Sequence, residues 1–359
     1  MGGLERYTVK LSNLLLAADH EVHVFGHTFE GPSSISFHPV PMLKPGSPVK
    51  NISFAHFCKK RIRQSEFSVV HSMERLFKQD IYRVSDGINP HLIRQRYRQP
   101  LVRLYKSFTP RRLALSFLER KIFQENGCRA IMTNSTLLKS HIRHYYNVPS
   151  SKITVIYNGV DTVRFNQKVR IHHRRTMRDQ LSYSDKDIVL LFISNNFKLK
   201  GLSSILQAMH TLDHPRFKLL IVGDDHPKPF YKLINRLGLV DRIQFAGPQR
   251  HTEKFYACAD IFVLPTKYDA FANVCLEAMA CGLPVVTTKS NGAADIMEHG
   301  KTGLILHQCT PDCLADQLSV LEASTNRTEM GKFASQIAKQ YTWENHLKNV
   351  LNLYRTVQK

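Results

Sequence analysis

Long apolar runs are absent from this 359-residue chain, and nothing in it approaches the roughly 20 apolar residues that span a bilayer as a helix. No charged leader with an apolar core and a small-residue cleavage site opens it, so a cytoplasmic chain is expected. Acidic residues are scarce: 29 Asp and Glu stand against 50 Lys and Arg, a net charge of +21. The seven cysteines are odd in number and lack framework spacing, which sets aside a disulfide scaffold and fits a reducing compartment. Cys309 and Cys313, with His307 nearby, lack zinc-site spacing and read as loop and helix-start residues. Low-complexity segments and short-period repeats are also lacking. What is there is a 43% hydrophobic chain, long enough for two domains with separate cores.

The positive charge is unevenly placed and points to an anionic partner. Nine basic residues, Arg94, Arg96, Arg98, Arg103, Lys106, Arg111, Arg112, Arg120 and Lys121, share one stretch with a single acid, Glu119. Lys59, Lys60, Arg61 and Arg63 form a second run, and His172, His173, Arg174, Arg175 and Arg178 a third. Leu101, Leu104, Tyr105, Phe108, Leu113 and Phe117 interleave the first cluster, which leaves two readings: a solvated helix face, or a surface that docks on anionic lipid. Nucleic acid is not expected as a partner, because no recognisable binding module accompanies the charge.

Short β-rich runs alternate with helical patterns, which predicts α/β architecture with parallel sheets. In the first half the strand candidates are Glu21–Phe25, Phe67–His71, Arg129–Thr133 and Ile153–Ile156. After Asn158-Gly159-Val160-Asp161 a polar, basic stretch runs to Asp187 and reads as a linker and domain boundary. A second series follows, with strands at Ile188–Ser194, Phe217–Val222, Ile243–Phe245, Asp260–Leu264 and Pro284–Thr287, and a helix over Lys200–Thr211. Trp343–Val357 reads as one amphipathic helix.

The most informative stretch is DIFVLPTKYDAFANVCLEAMACGLPVVTT. A strand runs into a loop, a helix begins near Asn273, and Gly282 and Pro284 stop it. Asp269 lies in the loop at the strand's C-terminal end, where α/β sheets bind ligands, and Glu277 in the opening turns of the helix. The backbone N–H groups of Ala272 and Asn273 are expected to face an anion, helped by the helix dipole. The bland alternative is an acidic turn followed by a surface helical glutamate. Asp185-Lys186-Asp187 superficially fits a metal-binding Asp-x-Asp pair, yet it precedes a strand and reads as a polar turn, so no metal is expected. The loop Gly223–His226 either lines a nucleotide pocket or caps the next helix.

Taken together with GGLERY, VIYNGVDTVRF, FISNNFKLKG and GAADIMEHGKTGLIL, this stretch resembles the acid-x7-acid signature of the family-four retaining glycosyltransferases, over nearly the whole chain. The resemblance implies a GT-B fold, two Rossmann-like domains facing across a cleft. It divides the chain into an acceptor domain at 1–165, a nucleotide-sugar domain at 166–340, and a C-terminal helix at 341–359 packing back on the first. Within the family, RVSDGINPHLI, the basic stretch after it and YDAFANVCLEA are most similar to the lipopolysaccharide-core glucosyltransferases. That likeness implies UDP-glucose as donor, with no cofactor and no metal. It also implies a lipid-linked, phosphorylated oligosaccharide acceptor and an enzyme peripheral on the cytoplasmic face of an anionic inner membrane. UDP-galactose, UDP-N-acetylglucosamine and GDP-mannose stay open as donors, as does a catalytically impaired binding protein.

By the same resemblance Glu277 binds the ribose, Asp269 holds donor-sugar hydroxyls, Lys200 and Lys198 neutralise the diphosphate, and Asp86 lies in the acceptor loop. Asp269 stands where the family more often has Glu. Gly2 and Gly3 would let their loop approach the diphosphate or acceptor closely. In the family a buried strand leads into that loop. It is missing ahead of Gly2 here, and an in-frame apolar strand encoded just upstream is the expectation.

Overall fold

Runs rich in Val, Ile, Leu and Phe form strands buried on both faces when helices cover a parallel sheet, and the central strands of both halves are built that way. The computed structural model describes residues 3–63, 66–97 and 99–358. It separates into two units, 1–157 with 344–359, and 158–343.

The first described element of the first unit is helix Gly3–Ala17. Six strands follow: β1 His23–Gly26, β2 Ser36–Pro39, β3 His71–Ser72, β4 Ile81–Val84, β5 Ala130–Thr133 and β6 Ile153–Val155. All pairings are parallel; β1 and β2 form one sheet, and β3-β4-β5-β6 another in that order. A cavity of about 1200 Å3 is bordered by β1, β3 and helix Gly3–Ala17, with Arg75 and Asp86 among its lining residues. β4 escaped the sequence reading because Arg83 interrupts its apolar run. That arginine is buried, with its guanidinium 3.6 Å from the centre of the Tyr7 ring. The strand expected over Phe67–His71 is confined to His71–Ser72.

Helix Trp343–Val357 carries an apolar stripe, and from Glu344 onward it belongs to the first unit. Burial holds the His346 imidazole neutral, with its pKa lowered to about 4. Its Nδ1–H therefore donates to the Tyr157 carbonyl at 2.7 Å, and Nε2 accepts from the Tyr7 hydroxyl at 2.9 Å. The Tyr354 hydroxyl meets His71 Nδ1 at 2.9 Å, and Arg129 donates to the Val357 carbonyl, also at 2.9 Å.

The second unit holds β7 Ile188–Ile193, β8 Phe217–Val222, β9 Ile243–Gly247, β10 Ile261–Leu264, β11 Val285–Thr288 and β12 Gly303–Leu306. They form one parallel sheet in the order β12-β11-β10-β7-β8-β9. The order reverses at β7, so the loops leaving β7 and β10 diverge at a switch point, where open α/β sheets hold ligands.

The stretch read as a linker is instead helix Gln167–Gln180. Its arginines are drawn inward because Asp260 is buried: Arg174 bonds Asp260 Oδ1 at 2.6 Å, and the fully covered Arg178 bonds Oδ2 at 3.1 Å and the Cys258 carbonyl at 3.1 Å. Guanidinium groups paired with a buried carboxylate can be buried where a free charge cannot. The boundaries at 165/166 and 340/341 move to 157/158 and 343/344. Asn158 bonds Asn273 at 2.7 Å, and the Val160 N–H donates to the Tyr341 carbonyl at 2.8 Å, which ties this segment into the second unit.

Candidate functional site

The loop after β7 and the loop after β10 are fastened to each other. Lys267 N–H donates to the Leu199 carbonyl at 3.0 Å, and Gly201 follows with φ +89°. A Cβ on Gly201 would lie 2.3 Å from the Pro265 carbonyl oxygen, so only glycine permits this approach. The fastening delivers the Lys200 ammonium onto the Asp269 carboxylate, where the two form an ion pair through Asp269 Oδ2, each side chain 19% exposed. Asp269 Oδ1 accepts the Phe271 N–H at 3.1 Å. Lys198, on the same loop, is exposed.

Glu277 lies in helix Asn273–Ala280, half-buried, with Oε2 accepting the Tyr256 hydroxyl at 2.8 Å. Burial first, and the glutamate second, push the Tyr256 phenol well above its ordinary value, so it stays a donor. Asn273 is exposed at the first turn of this helix. Ala272 corrects the sequence expectation: its N–H donates to Asn291 Oδ1 at 3.1 Å and does not face an anion. The side chain that takes it was not singled out in the sequence.

After β8, Asp225 Oδ2 accepts the Phe197 N–H at 2.7 Å and Asn195 Oδ1 accepts the Asp224 N–H at 3.0 Å, which locks that loop to the one bearing Lys200. Asp187 accepts the Ser184 N–H at 2.6 Å, a polar turn ahead of β7. Among the described residues no group of three His, Cys, Asp or Glu is placed to hold a metal ion. Buried Cys275 has its thiol pushed up to about 12 and is no thiolate.

In the first unit Asp86 is exposed and 3.9 Å from Arg75. Arg75 Nη2 donates to the Gly87 carbonyl at 3.1 Å, and Arg75 Nε to Glu119 at 2.9 Å. Glu119, fully buried, also accepts the Asn89 N–H at 3.0 Å and the Tyr146 hydroxyl at 2.5 Å. The single acid of the basic stretch thus anchors the loop that carries Asp86. Gly3 is the first residue of its helix, with open space where a Cβ would be. Gly2 lies outside the described residues.

Residues 1–164 match the model of Glycosyltransferase Family 4, and residues 173–337 that of Glycosyl transferases group 1. The lipopolysaccharide glucosyltransferase WaaG of Escherichia coli (strain K12) is 22% identical over 310 residues, 85% of this chain and 82% of that protein. A D-inositol 3-phosphate glycosyltransferase of Corynebacterium urealyticum is 30% identical over 244 residues, 63% of this chain. The chain spans 56% of the length of that relative and 59% of the uncharacterized glycosyltransferase MJ1607 of Methanocaldococcus jannaschii, to which it is 27% identical. Among solved structures, WaaG superposes with a TM-score of 0.84 at 21% identity over 99% of this chain and 96% of that one. Anabaena Alr3699/HepE in complex with UDP-glucose superposes at 0.77 and 18% identity, over 99% and 96%. The shared architecture, α/β with parallel sheets, is the GT-B fold.

Proposed function

The chain belongs to the group 1 and Family 4 glycosyltransferases, and from that premise we propose that it is a retaining hexosyltransferase, moving glucose from UDP-glucose to a lipopolysaccharide-core or related cell-envelope glycan. The observation that carries this reading is the Lys200–Asp269 ion pair at the sheet's switch point, with Glu277 on helix Asn273–Ala280, which leaves the same loop. Glu277, oriented by Tyr256, takes the ribose hydroxyls. Asp269 takes hydroxyls of the donor sugar. Lys200 and Lys198 supply positive charge to the diphosphate, whose negative charge grows as the sugar–phosphate bond breaks. The acceptor oxygen bonds the anomeric carbon on the face the diphosphate leaves, and the departing phosphate oxygen takes the acceptor proton. Neither a protein nucleophile nor a metal enters this scheme.

A panel of UDP-glucose, UDP-galactose, UDP-N-acetylglucosamine and GDP-mannose, with truncated-core lipopolysaccharide as acceptor, tests it by nucleotide diphosphate release. UDP-glucose is expected to give the fastest release, and NMR of the product to show retained configuration. An inverted product overturns the scheme.

We further propose that the enzyme works at an anionic membrane surface, and one observation supports this. Helix Pro100–Ser107 buries none of its residues, and Leu101, Leu104 and Tyr105, with Phe108 just beyond, are exposed beside Arg103 and Lys106. Such a face suits the headgroup boundary of a bilayer. No described helix is long and apolar enough to cross one. Replacing Leu101, Leu104 and Phe108 by Ser is expected to abolish flotation with phosphatidylglycerol vesicles; unchanged flotation overturns the placement.

A further inference from the structure

Asn291 is 1% exposed, yet its amide meets four partners on three segments. Oδ1 accepts the Ala272 and Ala293 N–H groups, each at 3.1 Å. Nδ2 donates to Thr287 Oγ1 at 3.0 Å and to Cys275 Sγ at 3.3 Å. The Thr287 hydroxyl in turn donates to the Leu264 carbonyl at 2.8 Å, the last residue of β10. Backbone bonds flank this hub: Asp269 N–H donates to the Ser290 carbonyl at 3.0 Å, and Gly292 N–H to the Asp269 carbonyl at 2.9 Å.

The hub therefore grips the acidic stretch at three points. It holds the Asp269 backbone by a short bridge, the last loop residue before the helix by Ala272, and the first helical turn by Cys275. Glu277 begins two residues beyond Cys275, so whatever fixes that turn also fixes where its carboxylate points. No other side-chain type supplies an acceptor for two amides and two donors from one short planar group. Asp keeps the acceptor and loses the donors; Ala loses both and leaves two buried N–H groups without a partner.

We infer that Asn291 is the positioning residue of this site, setting the separation and orientation of the Asp269 and Glu277 carboxylates without touching substrate. The inference rests on the nucleotide-sugar reading of that pair. A displacement of about 1 Å at reacting groups costs on the order of 100-fold in rate.

Steady-state kinetics of Asn291→Ala test it. The variant should retain the wild-type circular dichroism spectrum and lose about 10- to 100-fold in kcat/KM for the nucleotide sugar, with kcat lowered as Asp269 shifts and KM raised as Glu277 shifts. Asn291→Asp should lose less kcat than Asn291→Ala, because both amides keep their acceptor while the bonds to Thr287 and Cys275 are lost. A lowered Tm with kcat per folded molecule unchanged makes Asn291 merely structural and overturns the inference. If Asn291→Ala does not fold, Thr287→Val takes its place: kcat/KM should fall about threefold, and an unchanged kcat/KM overturns the inference. A wild-type chain that turns over no nucleotide sugar instead overturns the reading beneath it.

Discussion

Lys200 and Asp269, 69 residues apart, form an ion pair at the switch point of the second sheet. Each satisfies the other, so a bound diphosphate and sugar must share or replace this contact. The carboxylate holds the ammonium in place, and the ammonium offsets the carboxylate's charge beside an incoming anion. Removing either partner therefore alters two roles. Lys200→Met and Asp269→Asn are each expected to lower kcat/KM for the donor about 100-fold, near 2.7 kcal/mol of transition-state stabilisation. The double variant should lose far less than the product of the two, and strictly multiplicative losses in a double-mutant cycle would show that the pair does not act as a unit.

Tyr256 tests the companion carboxylate. Its hydroxyl gives Glu277 a hydrogen bond in a buried setting, worth about 1 kcal/mol net. Tyr256→Phe is expected to raise the Kd for UDP about fivefold by titration calorimetry. Glu277→Ala should abolish measurable binding. Equal affinity in wild type and Tyr256→Phe would detach Tyr256 from the nucleotide.

Arg178 governs stability rather than chemistry. Its guanidinium is buried against Asp260, the carbonyls of Cys258 and Ser184, and the Asp187 carbonyl. Arg178→Ala strands part of that set, Asp260 above all, and should cost about 3–5 kcal/mol in urea unfolding. A loss under 1 kcal/mol would mean that Arg174 alone satisfies the carboxylate.

Acid should loosen the first unit through its histidines. His346 is lowered to about 4 by burial, and the stacked pair His91 and His141, ring centres 3.6 Å apart, also to about 4. In the unfolded chain each titrates near 6.5. Between those values the unfolded state binds protons that the folded state refuses, so stability falls as pH drops from about 6.5 to about 4. Tm should decline over that window, and His346→Gln should make the decline shallower. A parallel decline in both proteins would remove His346 from the account.

Much of this was readable from residues alone. β8, read as Phe217–Val222, and helix Trp343–Val357 follow directly from apolar periodicity. Asp269 and Glu277 were read as lying past a buried strand, but their position left an acidic turn and a surface glutamate open, and only the family resemblance gave them roles. β4 was not legible, because Arg83 breaks its pattern, and the Tyr7 ring that packs against its guanidinium comes from helix Gly3–Ala17. Helix Gln167–Gln180 was not legible as part of the domain, since its arginines look like a solvated run until Asp260 is seen beneath them.

The sequence by itself determined the alternation of strand and helix, because side-chain volume and periodicity act over a few residues. It also determined which carboxylates stand where strands give way to loops. Only the tertiary structure decided which charges meet: that Lys200 is matched to Asp269, that Ala272 gives its N–H to Asn291 and not to an anion, and that Glu119 anchors the loop of Asp86. Charges and hydrogen-bond donors act over a few ångströms of space, and that proximity is created by packing, not by distance along the chain.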